Sequence, residues 1–420
     1  MENTKQSKQK ILTLLVLMLV SGTMYKVYFL IDAFYVQMQN FMGLSHTQIG
    51  FIYSVAGWVS QFSFLAATYF SDKFSKRKMI TFALAANGVT GFVISSYPAF
   101  SFMLVLFCMC AVFTDMMCWP TVLKTIRLLG SKDEQGRMFG FLETGRGVVD
   151  TVVSFSALAV FVAMGNDAFG FRCAIIFFSV VSIVAGILAF FTVEDDKKED
   201  IIEEEKKSEE GGIKRIFKDK SVWLVSLNIF TIYCLYSGLK YFVPFLKDVY
   251  DIPIALASAY GIINMYGLKM VGGPIGGIIS DKVTHSATKF IRIMFVITAA
   301  SLGAYTFLPH GAMNVYAAMG ISLTMSAFVF CMRAIFFAPM DEIRVPRKLT
   351  GAAMSFGSFI GYLPGAFIAI IYGKILDTNP GVAGYKMIFI MMAVIAAAGI
   401  IISTALLKEI KRKELSAEEE

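Results

Sequence analysis

The chain has 420 residues, of which 56% are hydrophobic and 16% are charged. Soluble domains carry about 25% charged residues, so this composition excludes an ordinary soluble protein. The formal net charge is +7, and its placement along the chain indicates membrane topology rather than a nucleic-acid partner.

Twelve apolar runs follow in chain order, most of them long enough to cross a bilayer as a helix. They occupy residues 11–36, 46–70, 79–97, 101–123, 137–163, 171–193, 221–245, 254–280, 290–308, 313–338, 349–373 and 385–407. Strands of a membrane barrel would alternate apolar and polar residues over about 10 positions. These runs are longer and continuously apolar, so they predict an all-α membrane protein with twelve transmembrane helices.

Lysine and arginine cluster in alternate connections between these runs. The basic clusters lie at 5–10, 73–78, 124–137, 194–220, 282–292, 344–348 and 408–413. Because cytoplasmic loops carry the excess of positive charge, this pattern predicts that both termini and the 194–220 segment lie in the cytoplasm. We expect a multi-pass protein of the cytoplasmic (inner) membrane that contacts lipid and is a monomer.

The 194–220 segment, EDDKKEDIIEEEKKSEEGGIKRIFKDK, is densely charged and suits a solvated linker. It predicts an N-terminal six-helix bundle at 1–193 and a C-terminal six-helix bundle with a cytoplasmic tail at 221–420. The halves are weakly related, since SDKFSKRK (71–78) follows the second run and SDKVTHSATK (280–289) follows the eighth. Two repeated six-helix halves are typical of secondary transporters.

These features resemble the major facilitator superfamily, whose loop between helices two and three reads G-x-x-x-D-R/K-x-G-R/K-R/K. Here the loop reads TYFSDKFSKR, with Thr68 and Ser75 in place of the two glycines. The matching positions are Asp72, Lys73, Lys76 and Arg77 in this copy and Gly277, Asp281 and Lys282 in the second. Residues 119–150 and 333–365 are similar to a bacterial branch of this family with poorly defined substrates.

The resemblance implies a fold in which helices one, four, seven and ten line a central cavity. Helices two, five, eight and eleven would form the contact between halves. It also implies a gating motif made of Asp72, Lys73, Arg77 and Asp281. Asp72 is then expected near the start of helix eleven, at Thr350 and Gly351, and Asp281 near Gly136 at the start of helix five.

Four charged residues fall in the middle third of the bilayer when depth is counted at 1.5 Å per residue: Lys26, Asp115, Asp150 and Lys269. A charge at that depth costs roughly 2.5–3.5 kcal/mol and normally faces a cavity or a partner. Lys26 and Lys269 come from opposite halves and would suit an anion that bridges them. Asp115 and Asp150 could pair with these lysines or carry a proton.

Further charged and aromatic candidates lie at other depths. Glu143, Arg146 and Asp150 share one face of helix five and form either a polar stripe for gating and substrate contact or a structural network within that helix. Asp32 is a further candidate for the charge network. The remaining substrate candidates are Lys240, Arg333, Tyr25, Trp119, Tyr233 and Tyr236. Arg333 is close enough to the inner boundary to snorkel instead, and the aromatic residues could stack on a sugar or simply pack.

Glycines of helix eight suggest close helix packing. Gly273 and Gly277 form a GxxxG pair, which allows another helix to approach closely. Pro274 lies between them and is expected to loosen the helix.

The main functional hypothesis is a secondary transporter of a small organic anion: a sugar acid, a carboxylate or a phosphate ester. Coupling by proton symport or by exchange is left open. The alternatives are an efflux antiporter for drugs or other hydrophobic compounds, and a solute sensor that does not transport. We expect no enzyme activity, cofactor or metal, because no catalytic cluster, CxxC pair or P-loop occurs in the sequence.

Overall fold

The computed structural model describes residues 2–129, 135–194, 218–310, 312–345 and 349–418. Side chains are described in these ranges except at 2–8, 65, 68–73, 135–137, 350–352 and 416–418. All regular structure in the described residues is helical, with no strand among them. The predicted all-α fold is therefore confirmed, whereas nearly all of the predicted linker, 195–217, lies outside the described residues.

Apart from the short helix Pro339–Glu342, the described helices group into twelve segments at the positions of the apolar runs. In chain order they are helix one (Glu2–Thr23 and Ile31–Met42), two (His46–Lys73), three (Lys76–Ile94), four (Phe100–Leu129), five (Gln135–Ala163), six (Ala168–Thr192), seven (Lys220–Tyr250), eight (Ile254–Thr284), nine (Ala287–Phe307), ten (Val315–Ile335), eleven (Thr350–Tyr362 and Ile368–Thr378) and twelve (Val382–Glu418). Within the described ranges, nine helices, four to twelve, have the length and apolar composition to cross a membrane.

Helix one is not continuous, contrary to the single helix predicted over 11–36. Residues 24–30 form a series of turns between its two helical parts. The side-chain amide of Asn87 donates to the Met24 carbonyl (2.6 Å), and the Ile31 N–H donates to the Tyr53 hydroxyl (3.1 Å). These neighbours replace backbone hydrogen bonds, which is the condition for breaking a helix inside a membrane.

Helix four widens into a π-helix over Val112–Cys118, where the Trp119 N–H donates to the Thr114 carbonyl. Pro120 follows directly and has no N–H, so it disfavours a regular α-helix over the preceding turn. Helix eight contains two further π-helical turns, Ile263–Gly267 and Ser280–Thr284. Such turns commonly occur at functional positions.

The close packing predicted for Gly273 and Gly277 falls instead on the neighbouring pair. A Cβ added at Gly272 would lie 2.9 Å from the Phe330 carbonyl carbon, and one at Gly276 would lie 2.6 Å from the Cys331 carbonyl oxygen. These glycines therefore allow helix eight to pack against helix ten. At Gly273 and Gly277 an added Cβ meets no described atom within 4 Å. The predicted pair was wrong by one residue. On a helix, a shift of one residue moves the contact to a different face.

The contacts divide the chain into two units. Unit one is Met1–Lys207 with Pro253–Gly267, and unit two is Ser208–Ile252 with Leu268–Glu420. Within unit one, the first part of helix eight packs against helices one and five. There the Gln37 amide donates to the Ser258 hydroxyl (2.6 Å), and both side chains are buried. The predicted division at 194–220 stays a prediction; the units differ from it in assigning 253–267 to the first half.

Candidate substrate site

Lys26 lies in the break of helix one and is fully buried. Its ammonium group is 2.9 Å from the Asp150 carboxylate and donates to the Ser154 hydroxyl (3.0 Å). It also lies 3.5 Å from the centroid of the Tyr266 ring, on the π-helical turn of helix eight that belongs to unit one. The Lys26 cation thus contacts a carboxylate, a hydroxyl group and an aromatic ring. Together they satisfy a charge that would otherwise be costly at this depth.

Helix five supplies the opposite side of this cluster. Asp150 Oδ1 contacts Lys26, and its Oδ2 is 3.9 Å from the Arg146 guanidinium. Ser154 completes the arrangement by donating to the Asp150 carbonyl (2.7 Å) while accepting from Lys26. Glu143 lies one turn before Arg146 at 3.4 Å and is exposed. The polar stripe on helix five therefore continues to helix one and is not a network confined to one helix.

Arg146 is the more accessible cation of the cluster, with 16% of its side chain exposed. Its guanidinium lies 4.8 Å from the Trp119 ring and 5.4 Å from the Tyr25 ring. A planar cation against aromatic faces is attracted by their electron density and is held in orientation. Helices one and four thus fix the guanidinium that helix five presents.

Asp115 lies on the π-helical turn of helix four and is buried. Its two oxygens accept hydrogen bonds from the Tyr25 hydroxyl (2.8 Å) and the Ser60 hydroxyl (2.6 Å). Among the described residues, no lysine or arginine nitrogen lies within ion-pair distance of this carboxylate. Asp150 is thus held by cations and Asp115 by hydroxyl groups.

In unit two, Arg333 lies beside a cluster of aromatic rings. The Arg333 guanidinium lies 4.2 Å from the Tyr236 ring, and the Tyr233 ring lies between those of Tyr236 (5.3 Å) and Tyr362 (4.8 Å). This cluster joins helices seven, ten and eleven. It brings together three of the predicted substrate residues, Tyr233, Tyr236 and Arg333, within one unit.

The other predicted charges are more dispersed. Lys269 lies in the part of helix eight that belongs to unit two and is half-buried. Lys240 is half-buried on a short 3-10 turn within helix seven. Asp32 is buried in the first turn of the second part of helix one, where the helix dipole favours a negative charge.

The predicted gating motif is only partly described. The side chains of Asp72 and Lys73 lie outside the described residues, as do those at positions 136, 350 and 351 that were expected to face the motif. Arg77 places its guanidinium 4.6 Å from the Phe190 ring of helix six. Asp281 is exposed on the π-helical turn that ends helix eight.

Lys26, Asp150, Arg146 and Asp115 form the charged centre of unit one. The sequence analysis did not identify three residues that contact it: Ser60, Ser154 and Tyr266. Ser154 follows Asp150 by one helical turn, so the spacing could have revealed it. Ser60 and Tyr266 carry no such signal, because they contact residues 55 and 240 positions away in the chain. Only the packing of helices two and eight brings them to the site.

A family profile decides the identity of this fold. The profile of the Major Facilitator Superfamily matches residues 13–369, which is most of the chain. The chain belongs to the Major Facilitator Superfamily. The resemblance seen in the loop motif is thereby confirmed, and this member is an integral multi-pass membrane protein of a transporter family.

Relatives and solved structures agree with this membership. The chain is 45% identical over 418 residues to the inner membrane protein YihN of Escherichia coli (strain K12), covering 98% of this chain and 99% of that protein. It is 30% identical over 400 residues to the inner membrane protein YqcE of the same organism, covering 94% of each.

Two solved transporters share the fold. A bacterial homologue of the human lysosomal transporter Spinster, inward-facing and occupied, aligns with a TM-score of 0.77 at 14% identity, over 98% of both chains. The nucleoside transporter NupG aligns with a TM-score of 0.73 at 13% identity, over 96% of this chain and 99% of that chain. At these identities the likeness concerns the fold alone.

Proposed function

We propose that this superfamily member is a secondary active transporter of a small organic anion. The observation that carries the proposal is the half-buried Arg146, whose guanidinium is held by Trp119 and Tyr25 beside the Lys26–Asp150 pair. An arginine with fixed orientation in a water-poor site recognises carboxylate and phosphate groups well. The aromatic faces beside it suit the C–H face of a sugar acid.

The charge balance of the centre favours coupling to protons. Glu143 is exposed, so water screens its charge. Among the less exposed groups, Lys26 and Arg146 carry two positive charges, which Asp150 and Asp115 offset when both are ionised. A proton on Asp150 would leave Lys26 buried without a counter-charge, which is costly. A proton on Asp115 disrupts no ion pair and leaves the centre with one net positive charge. One bound negative charge then restores neutrality, so proton and anion would move together.

The location and orientation that go with this proposal follow from the charge pattern. The names of the relatives and the basic loops support a place in the cytoplasmic membrane with both termini in the cytoplasm. Lys269 remains a candidate for a second cation from unit two. Export, exchange, or the binding of a hydrophobic compound are the outcomes that would replace proton-driven anion uptake.

Uptake into proteoliposomes tests the proposal. Purified protein is reconstituted, a pH gradient is imposed, and accumulation of D-gluconate, succinate and glucose 6-phosphate is measured as one representative of each anion class. We expect accumulation of one class that collapses when the gradient is dissipated, and loss of gradient-driven accumulation in Asp115→Asn. Failure of all three anions alongside transport of a hydrophobic cation would overturn the anion assignment in favour of efflux.

A further inference from the structure

Tyr25 joins the two parts of the charged centre. Its hydroxyl donates to Asp115 Oδ1 at 2.8 Å, while its ring lies 5.4 Å from the Arg146 guanidinium. The residue sits in the turns at 24–30, where helix one has no regular backbone hydrogen-bond ladder.

The surroundings of Asp115 make this hydrogen bond sensitive to a proton. An ionised carboxylate accepts a charge-assisted hydrogen bond, which is roughly twice as strong as the bond that a neutral carboxyl accepts. Ser60 from helix two holds the second oxygen (2.6 Å). The other titratable or charged groups that face Asp115 are Tyr25 and Tyr28 from helix one, Arg146 from helix five and Cys118 from its own helix.

We infer that Tyr25 is a positioning residue that transmits the protonation of Asp115 to Arg146. When Asp115 is ionised, Tyr25 is held by its hydroxyl and its ring fixes the guanidinium. When Asp115 is protonated, that hydrogen bond weakens, the ring is released, and the guanidinium can turn from Tyr25 towards an anion. The inference rests on the proposed function, because it states how proton and anion binding at that site are linked.

Trp119 provides a reporter that needs no substrate. Its indole lies 4.8 Å from the Arg146 guanidinium, so movement of the cation changes its fluorescence. The sequence contains three tryptophans, and replacing Trp58 and Trp223 by Phe leaves Trp119 as the only tryptophan, which can be excited selectively at wavelengths that tyrosine does not absorb. In this background we expect the emission to change between mildly alkaline and mildly acidic pH, and the change to be absent in Asp115→Asn.

Tyr25→Phe is the decisive variant, because it removes one oxygen and keeps the ring. We expect it to lose the pH-dependent change of Trp119 emission. Tyr241→Phe is the matched control, since the buried Tyr241 hydroxyl also donates one hydrogen bond of 2.8 Å, to the Ala369 carbonyl, but lies in unit two. This control is expected to keep the full change. An undiminished change in Tyr25→Phe would overturn the inference.

Transport separates this inference from the proposed function. With whichever of the three anions is accumulated, Tyr25→Phe should keep exchange of labelled for unlabelled anion and lose accumulation driven by a pH gradient. Gradient-driven accumulation equal to that of the unmodified protein would contradict the inference while leaving the proposed function intact. If the unmodified protein accumulates none of the anions, the proposed function fails, and the fluorescence experiment still decides whether Tyr25 links Asp115 to Arg146.

Discussion

Two ion pairs of nearly equal length lie in different units of the molecule. Lys26 and Asp150 are 2.9 Å apart with 2% and 5% of their side chains exposed, whereas Lys413 and Asp219 are 3.1 Å apart with 30% and 35% exposed. The two pairs therefore have similar distances and differ in how far their charges are removed from water. Removing one partner of a buried pair leaves a charge without water, while an exposed partner is simply rehydrated.

The two lysines also differ in the further groups that they contact. The Lys26 ammonium also contacts Ser154 and the Tyr266 ring, both inside unit one. The Lys413 ammonium contacts the Ile343 carbonyl (3.4 Å) and ties the last helix to the residue that precedes helix seven. The first pair thus belongs to a shared charge network, and the second fastens two chain segments of unit two.

The largest expected effect is that of Asp150→Asn. It leaves Lys26 buried without its counter-charge, at a cost of about 3–5 kcal/mol for breaking a buried pair. We expect loss of anion uptake and a clear drop in thermal stability of the purified protein. The double variant Lys26→Met, Asp150→Asn removes both charges and should recover stability but not uptake. Unchanged stability in the single variant would show that the pair is not desolvated.

A second prediction compares the arginines of the two units. Arg146→Lys keeps the charge but loses the planar contact with Trp119 and Tyr25, which is worth about 1–2 kcal/mol, so KM for the transported anion should rise roughly tenfold. Arg333→Lys loses the contact with one ring, Tyr236, and should raise KM by roughly threefold. Initial uptake rates over a range of anion concentrations measure both. A larger effect at Arg333 would move the anion site to unit two.

The smallest effect is expected for Lys413→Met, at about 0.5 kcal/mol, because the pair is partly exposed. Burial raises the pKa of Asp219, but hydrogen bonds from the Ser221 N–H and Lys413 outweigh it and lower that pKa below the ordinary value. The pair therefore stabilises the fold at neutral pH, and its contribution is lost as the pH falls through the lowered pKa. Melting curves should show a small deficit at neutral pH that disappears in acid.

Much of the fold could be predicted from the sequence. Apolar runs reflect the cost of placing polar groups in a bilayer, so they mark the helices without any knowledge of packing. Basic loops reflect the cost of moving positive charge across it, so they predict the orientation of those helices. The spacing of Glu143, Arg146 and Asp150 likewise placed three charges on one face of helix five. These are local properties of the chain.

The arrangement of the centre could not be predicted in the same way. Residues 24–30 read MYKVYFL, without glycine or proline, so nothing local predicts the break in helix one. The break depends on Asn87 and Tyr53, which lie on other helices. The π-helix around Asp115 did have a signal, Pro120. The sequence also placed Lys26 and Lys269 as equivalent cations, whereas Lys26 is paired with Asp150 inside unit one.

The most direct test of the account is the number of protons taken up when the anion binds. Calorimetric titration of the transported anion, repeated in buffers of different ionisation enthalpy, measures this number. We predict uptake of about one proton per anion by the unmodified protein near neutral pH, and none by Asp115→Asn. Binding of the anion without proton uptake by the unmodified protein would contradict the claim that Asp115 and Arg146 act as one proton-linked anion site.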